Sequence, residues 1–163
     1  MMTLSVKEFI QDNKDLIETN AWDQVYDNAI FNLDSDSIGE LGKIFLDLGI
    51  NPIAELDYIP DYYLSSTNIK SFTIPNHIYL LSEGCFGYCE QLEEIVIPES
   101  VKEIAEFAFY GCSSLKKIVL PKDLYTLSKT AFDGIHPEAV IYCYKGTVGE
   151  LFATSNEFKV KYL

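Results

Sequence analysis

Hydrophobic and polar positions recur every 23 residues through the middle of the chain, where Ile69 to Gln91, Leu92 to Ser114 and Leu115 to Pro137 align without a gap. Each unit opens on an aliphatic residue (Ile69, Leu92, Leu115) and carries an apolar fourth residue (Phe72, Ile95, Ile118). The sixth and seventh positions are Ile74-Pro75, Ile97-Pro98 and Leu120-Pro121. Ile78, Val101 and Leu124 follow, then Leu81, Ile104 and Leu127, and a closing Phe86, Phe109 or Phe132. The apolar fourth and sixth positions follow the period of two that marks a strand. A repeat of this length predicts a solenoid, whose coils stack because none can bury its apolar face alone.

Upstream the apolar spacing turns helical. Ser5-x-x-Glu8 reads as a capping box, with Leu4 and Phe9 placed as its hydrophobic staple. Val6, Phe9, Ile10, Leu16 and Ile17 then form one stripe. Asn20 is expected to cap a second helix carrying Trp22, Val25, Tyr26, Ala29 and Ile30. Ser37-x-x-Glu40 is expected to cap a third, with Ile38, Leu41, Ile44, Phe45 and Leu48, ended by Gly49 and Asn51-Pro52. Residues 1–57 are thus expected to form three short helices, and residues 58–163 a solenoid with a C-terminal cap. Leu56 to Asn68 repeats the coil rhythm in degenerate form, with Tyr63 near the place of the closing Phe. At the far end Ala139 to Cys143 keeps the strand, Thr147-x-x-Glu150 caps a short helix, and Phe158, Val160 and Tyr162 alternate as a last strand. The expected fold is α+β: a helical unit capping about three full 23-residue coils plus degenerate end coils, all on one shared core.

Leu92 to Cys112 reads aliphatic-x-x-Ile-x-Ile-Pro-x-x-Val-x-x-Ile-x-x-x-Ala-Phe-x-Gly-Cys, and it resembles the BspA-like (Treponema-type) leucine-rich repeat family at every position. The resemblance covers residues 56 to 163, and Tyr142-Cys143-Tyr144-Lys145-Gly146 looks like the family's usual exit. Ile69 to Gln91 departs from the pattern, with Cys85 for Ala and Tyr88 for Gly. The resemblance implies a right-handed, gently curved solenoid used for protein recognition, often in bacterial or protist surface proteins. It implies no catalytic residues. A helical leader before a few such repeats also resembles small proteins of low-GC bacteria and their phages.

Charge narrows the partners. Acidic residues number 25 against 12 basic, and every basic residue is Lys. With a net charge of −13 and no Arg to fork onto phosphate, nucleic acid and anionic membranes are repelled, and a neutral or basic protein is favoured. Residues 1–57 hold 12 acidic and 3 basic residues, so most of the excess sits there. Met1 to Ile10 has Lys7 and Glu8 where a signal peptide is apolar, so a cytoplasmic setting is expected. Cys85, Cys89, Cys112 and Cys143 lack paired zinc spacing and read as packed, reduced thiols. Asp34-x-Asp36-x-x-Gly39 begins like a calcium loop, but Phe45 stands where the bidentate Glu belongs. Gly39-x-x-Gly42-Lys43 lacks phosphate-loop spacing, and His77 and His136 stand beside turns, outside any nucleophile motif. No cofactor or metal is expected.

What remains is a surface. With the fourth and sixth residues of each strand inward, the third and fifth point out, and Thr73, Val96, Val119 and Tyr142 form a ribbon rimmed by Glu94 and Lys117. Four such strands offer roughly 300 Å², short of the about 800 Å² a standard interface buries per partner. The acidic helices, with Asp12, Asp15 and Asp23 off their apolar stripes, or a second copy of the chain, would have to add area. The expected function is a non-catalytic intracellular protein–protein interaction module using both surfaces. The alternatives are a phage or mobile-element inhibitor that blocks a host protein through its acidic surface, and an enzyme whose site assembles only in space.

Overall fold

The structure, a computed structural model, describes residues 5–163; Leu4, the expected staple partner of Phe9, lies outside them. Helix α1 (Val6–Asp12) starts as its capping box requires: Ser5 accepts from the Glu8 amide while Glu8 accepts from the Ser5 amide at 3.0 Å. The stripe expected to form one helix divides at Asn13, and α2 (Lys14–Glu18) is separate. Asn13 is buried, donates its side-chain amide to the Phe9 carbonyl at 2.9 Å, and accepts from Asn28 at 2.7 Å. Such back-bonding competes with the helix ladder and ends the first segment.

Two expected caps also move. Asn20 does not cap α3 (Trp22–Asn32); it adopts φ 56, the left-handed turn that closes α2, and Ala21 stands at the N-cap. Asn tolerates that turn better than most residues, which explains its place there. Helix α4 (Ser35–Asp47) is capped by Asp34, which accepts from the Ser37 amide at 2.8 Å, rather than by Ser37. Ile30 and Leu48, expected on apolar stripes, are exposed. Four helices therefore stand among the described residues before a 3-10 turn at Pro52–Ala54.

The remainder is a solenoid of about five turns, and its coils expose two parallel sheets. One runs β1 (Tyr58–Ile59), β2 (Leu80–Leu81), β4 (Glu103–Ile104) and β6 (Thr126–Leu127). The other runs β3 (Glu94–Val96), β5 (Lys117–Val119), β7 (Val140–Cys143) and β8 (Lys159–Tyr162). Leu80, Glu103 and Thr126 stand in register, as do Ile95, Ile118 and Ile141, so the 23-residue period is the stacking period. Helix α5 (Val148–Ser155) follows β7, with Thr147 accepting from the Glu150 amide at 3.3 Å as its cap. On a third side, turn backbones bond between coils: the Tyr62, Leu64 and Ser66 amides donate to the carbonyls of Glu83, Cys85 and Gly87. That register gives Leu64, not Tyr63, the place of the closing Phe in the first coil. Tyr63 takes the place of Cys85.

Both units share one core. Rings touch in sequence from Tyr26 through Tyr63, Phe72, Phe86, Phe109 and Phe132 to Phe152 and Phe158, with Phe109 and Phe132 stacked at 5.0 Å. Gly39 and Gly42 explain themselves here: a Cβ at either would lie 1.9 Å from the Ser65 or Tyr63 carbonyl oxygen. Only glycine lets α4 lie that close to the first coil. His77 Nε2 donates to the Ile53 carbonyl at 2.9 Å, a further tie between the units.

Candidate functional site

The sheet of β3, β5, β7 and β8 buries Ile95, Ile118 and Ile141 and turns the alternate residues outward. One outward row is Glu94, Lys117, Val140 and Lys159; the next is Val96, Val119, Tyr142 and Lys161. Thr73 is exposed beyond Val96, but residues 71–74 form no strand, contrary to the alternation read from the sequence. The Ile69–Gln91 coil is held there by a long bond, the Glu93 amide to the Lys70 carbonyl at 3.4 Å. A groove of about 570 Å³ opens at this place, lined by Ser71, Thr73, Asn76, Glu94, Val96 and Glu99 among others.

The two ends of this face differ chemically. Val96 is 53% exposed, whereas Val119 and Tyr142 are half-buried. Lys117 bonds Glu94 at 3.2 Å, and Lys117 and Lys161 approach the Tyr142 ring from two sides at 6.0 and 5.4 Å. The ribbon is therefore apolar at Val96 and grades into a lysine-flanked tyrosine. Lys159 and Lys161 were missing from the sequence reading, although β8 places both on the same rows. Their alternation with Val160 and Tyr162 was the available signal.

Two aspartates of the helical unit, Asp23 and Asp36, are held away from this face. Asp23 accepts from the Tyr58 hydroxyl at 2.8 Å, so it stands against β1 of the other sheet. Asp12 and Asp15 are exposed at the end of α1 and the start of α2. Asp36 accepts from Ser66 at 2.7 Å on the turn side of the first coil. Asp23 and Asp36 thus offer their charge to the sheet of β1 and to the turn side.

Among the described residues no cluster of three His, Cys, Asp or Glu could hold a metal, and no helix is long and apolar enough to cross a membrane. The four cysteines are buried and free. Cys89 and Cys112 donate to the Leu64 and Phe86 carbonyls of the preceding coil at 3.1 Å, which fixes them as packing residues. Burial pushes the Cys89 thiol up to about 11 and raises Cys85 and Cys112 as well, the reverse of what a nucleophile needs. His136 accepts from the Glu138 amide at 3.1 Å within its own turn.

A family model described as a BspA type leucine rich repeat region matches residues 54–146 in 6 copies. Among solved structures, a leucine rich cell surface protein from Faecalibacterium prausnitzii A2-165 is 27% identical over 48% of this chain and 20% of its own, with a TM-score of 0.39. The chain therefore spans about a fifth of that protein's length. No curated protein matches.

Proposed function

This chain belongs to the BspA-type leucine-rich repeat family, and on that premise we propose that it is a non-catalytic, cytoplasmic protein-binding module. Repeats of this kind are generally protein-interaction modules. The observation that carries the reading is the outward face of β3, β5 and β7, where exposed Val96 adjoins a groove and a bound-pair rim of Glu94 and Lys117. An apolar centre with a polar rim is the anatomy of an interface. Thr73, Glu94, Val96, Lys117, Val119 and Tyr142 make the short-range contacts. Asp12, Asp15 and Asp23, on the strongly acidic helical unit, steer a basic partner towards the molecule before it docks. A second copy of the chain is the competing occupant of the face, read out as a concentration-dependent mass. Four buried, unpaired thiols support a reducing compartment.

The test is a binding measurement with the partner recovered from the source cell. Val96→Glu combined with Val119→Glu abolishes binding while the melting temperature stays near that of the parent. Changing Asp12, Asp15 and Asp23 to Asn lowers the association rate at low salt and leaves dissociation unchanged. Retained affinity in the valine double variant would overturn the reading. A partner that itself binds nucleic acid would turn it into that of an inhibitor working through its acidic surface.

A further inference from the structure

The turn side of the coils holds a second concave site, and it grows out of a position, Tyr88, where the repeat departs from its own pattern. Inter-coil bonds set Tyr62, Gly84 and Phe107 in one register, and Ser66, Tyr88, Gly111 and Gly134 in another. All seven of these residues have positive φ, between 55 and 73. Glycine suits such positions, and for a large aromatic residue the conformation is an outlier that costs stability. Yet Tyr62, Phe107 and Tyr88 occupy three of them.

The missing side chains of neighbouring glycines make room for these rings. A Cβ at Gly84 would lie 2.6 Å from the Tyr62 ring, and one at Gly111 would lie 2.7 Å from the Tyr88 ring. Tyr62 and Phe107 thus stand two coils apart with Gly84 between them. Tyr110 presents its ring edge-on to both neighbours, Tyr88 at 5.2 Å and Phe107 at 5.6 Å. The result is a cleft of about 430 Å³ floored by Gly84 and Gly87, walled by those four rings, and edged by Glu83. The Tyr62 hydroxyl donates to Glu83 at 2.7 Å, which fixes ring and carboxylate together. On the other side of Tyr88 a second hollow adds Asp36 and Glu90. No lysine lines either hollow among the described residues.

Resting on the protein-binding reading above, we propose that this cleft seats an arginine side chain of the partner protein. Aromatic faces attract a cation through their quadrupole, and a planar guanidinium stacks on them better than an ammonium does. The carboxylate edge completes the charge match: residues 58–114 carry 8 acidic and 2 basic residues. The chain contains no Arg, so a second copy of itself cannot supply the group. The strained aromatics are thereby accounted for, since they hold Tyr88 and Phe107 open to solvent beside half-buried Tyr62, where glycine would be cheaper.

The full chain is titrated with N-acetyl-arginine amide while the Gly84 and Gly87 amide resonances are followed by NMR. Saturable shifts at both are expected, with little response to N-acetyl-norleucine amide and a weaker one to N-acetyl-lysine amide. Tyr88→Gly restores the residue that stands at 111 and 134 in the same register, so it keeps the fold while removing a wall. That variant, Phe107→Ala and Glu83→Gln each weaken binding by about two- to fivefold. No shift with the arginine probe, an equal response to the norleucine or lysine probe, or undiminished binding in a folded Tyr88→Gly and in Glu83→Gln would overturn the proposal. The titration uses no partner. Its failure is therefore separate from failure of the strand-face reading, which the valine double variant reports.

Discussion

The solenoid and the helical unit bury apolar residues in opposite ways. In the solenoid each buried residue has a counterpart one coil away: Ile95, Ile118 and Ile141, or Phe86, Phe109 and Phe132. In the helical unit Phe9, Trp22, Tyr26 and Phe45 each occupy a place found once. Repetition makes the solenoid tolerant in pattern but dependent on its ends, because every coil needs a neighbour on both sides. The helical unit supplies that neighbour for the first coil through Tyr26 on Tyr63 and through α4 lying on the Tyr63–Ser65 backbone.

The comparison breaks most severely if the cap is removed. Deleting residues 1–57 uncovers Ile59, Tyr63 and Leu64, all fully buried, and the unpaired edge of β1. Aggregation is expected. A soluble, monomeric fragment of residues 58–163 with a cooperative melt would show that the solenoid needs no helical partner.

Within the solenoid, Phe109 is fully buried between Phe86 at 5.2 Å and Phe132 at 5.0 Å. Phe109→Ala is expected to cost about 3–5 kcal/mol, most of the stability of a marginal domain, as read by chemical denaturation. An unchanged midpoint would mean that the ring stack is not the core.

Alkaline titration probes burial next, in the solenoid thiols and in Tyr26 of the helical unit, whose hydroxyl burial also pushes up. A thiol whose folded value is raised contributes stability that is complete below its unfolded value and lost as the pH rises through the folded one. For Cys89 that window runs from the ordinary 9.0 to about 11, a loss of about 3 kcal/mol. Denaturation midpoints that stay flat from pH 8 to pH 11 would contradict the burial of these groups.

Gly39→Ala probes the junction itself. Its new methyl group would lie 1.9 Å from the Ser65 oxygen, so α4 must retreat, at about 1–3 kcal/mol. Proteolysis between the units should rise with it, and equal stability of the two proteins would refute the close approach. The smallest effect has the opposite sign. The hydroxyls of Tyr26 and Tyr63 are buried without a hydrogen-bond partner among the described residues. Tyr63→Phe should therefore raise stability by about 1 kcal/mol, visible as a higher melting temperature. A loss on that change would reveal a partner for the hydroxyl.

The two units were also unequally legible before folding. The coils could be read because each strand position is written several times, so Ile74-Pro75, Ile97-Pro98 and Leu120-Pro121 corroborate one another. Helix ends have no such redundancy. Ser37 and Asp34 are both good caps by composition, and only the bond from the Ser37 amide to Asp34 decides between them. Asn13 looked like one more polar position on a helix until Asn28, fifteen residues on, closed on it.

The candidate sites divide along the same line. Outward residues such as Val96 and Lys117 followed from alternation alone, because a strand has only two faces. The sheet of β1, β2, β4 and β6 did not, since its strands are two residues long and show no alternation to read. Nor could the sequence say that Asp23 stands against Tyr58 instead of near Val96, or that Tyr62 and Phe107 flank Gly84. Local order, period and charge are properties of the chain, legible because they act between near neighbours. Which coil a helix lies upon, and which rings meet across a missing side chain, depend on contacts between residues far apart in sequence, and only the packed molecule decides them.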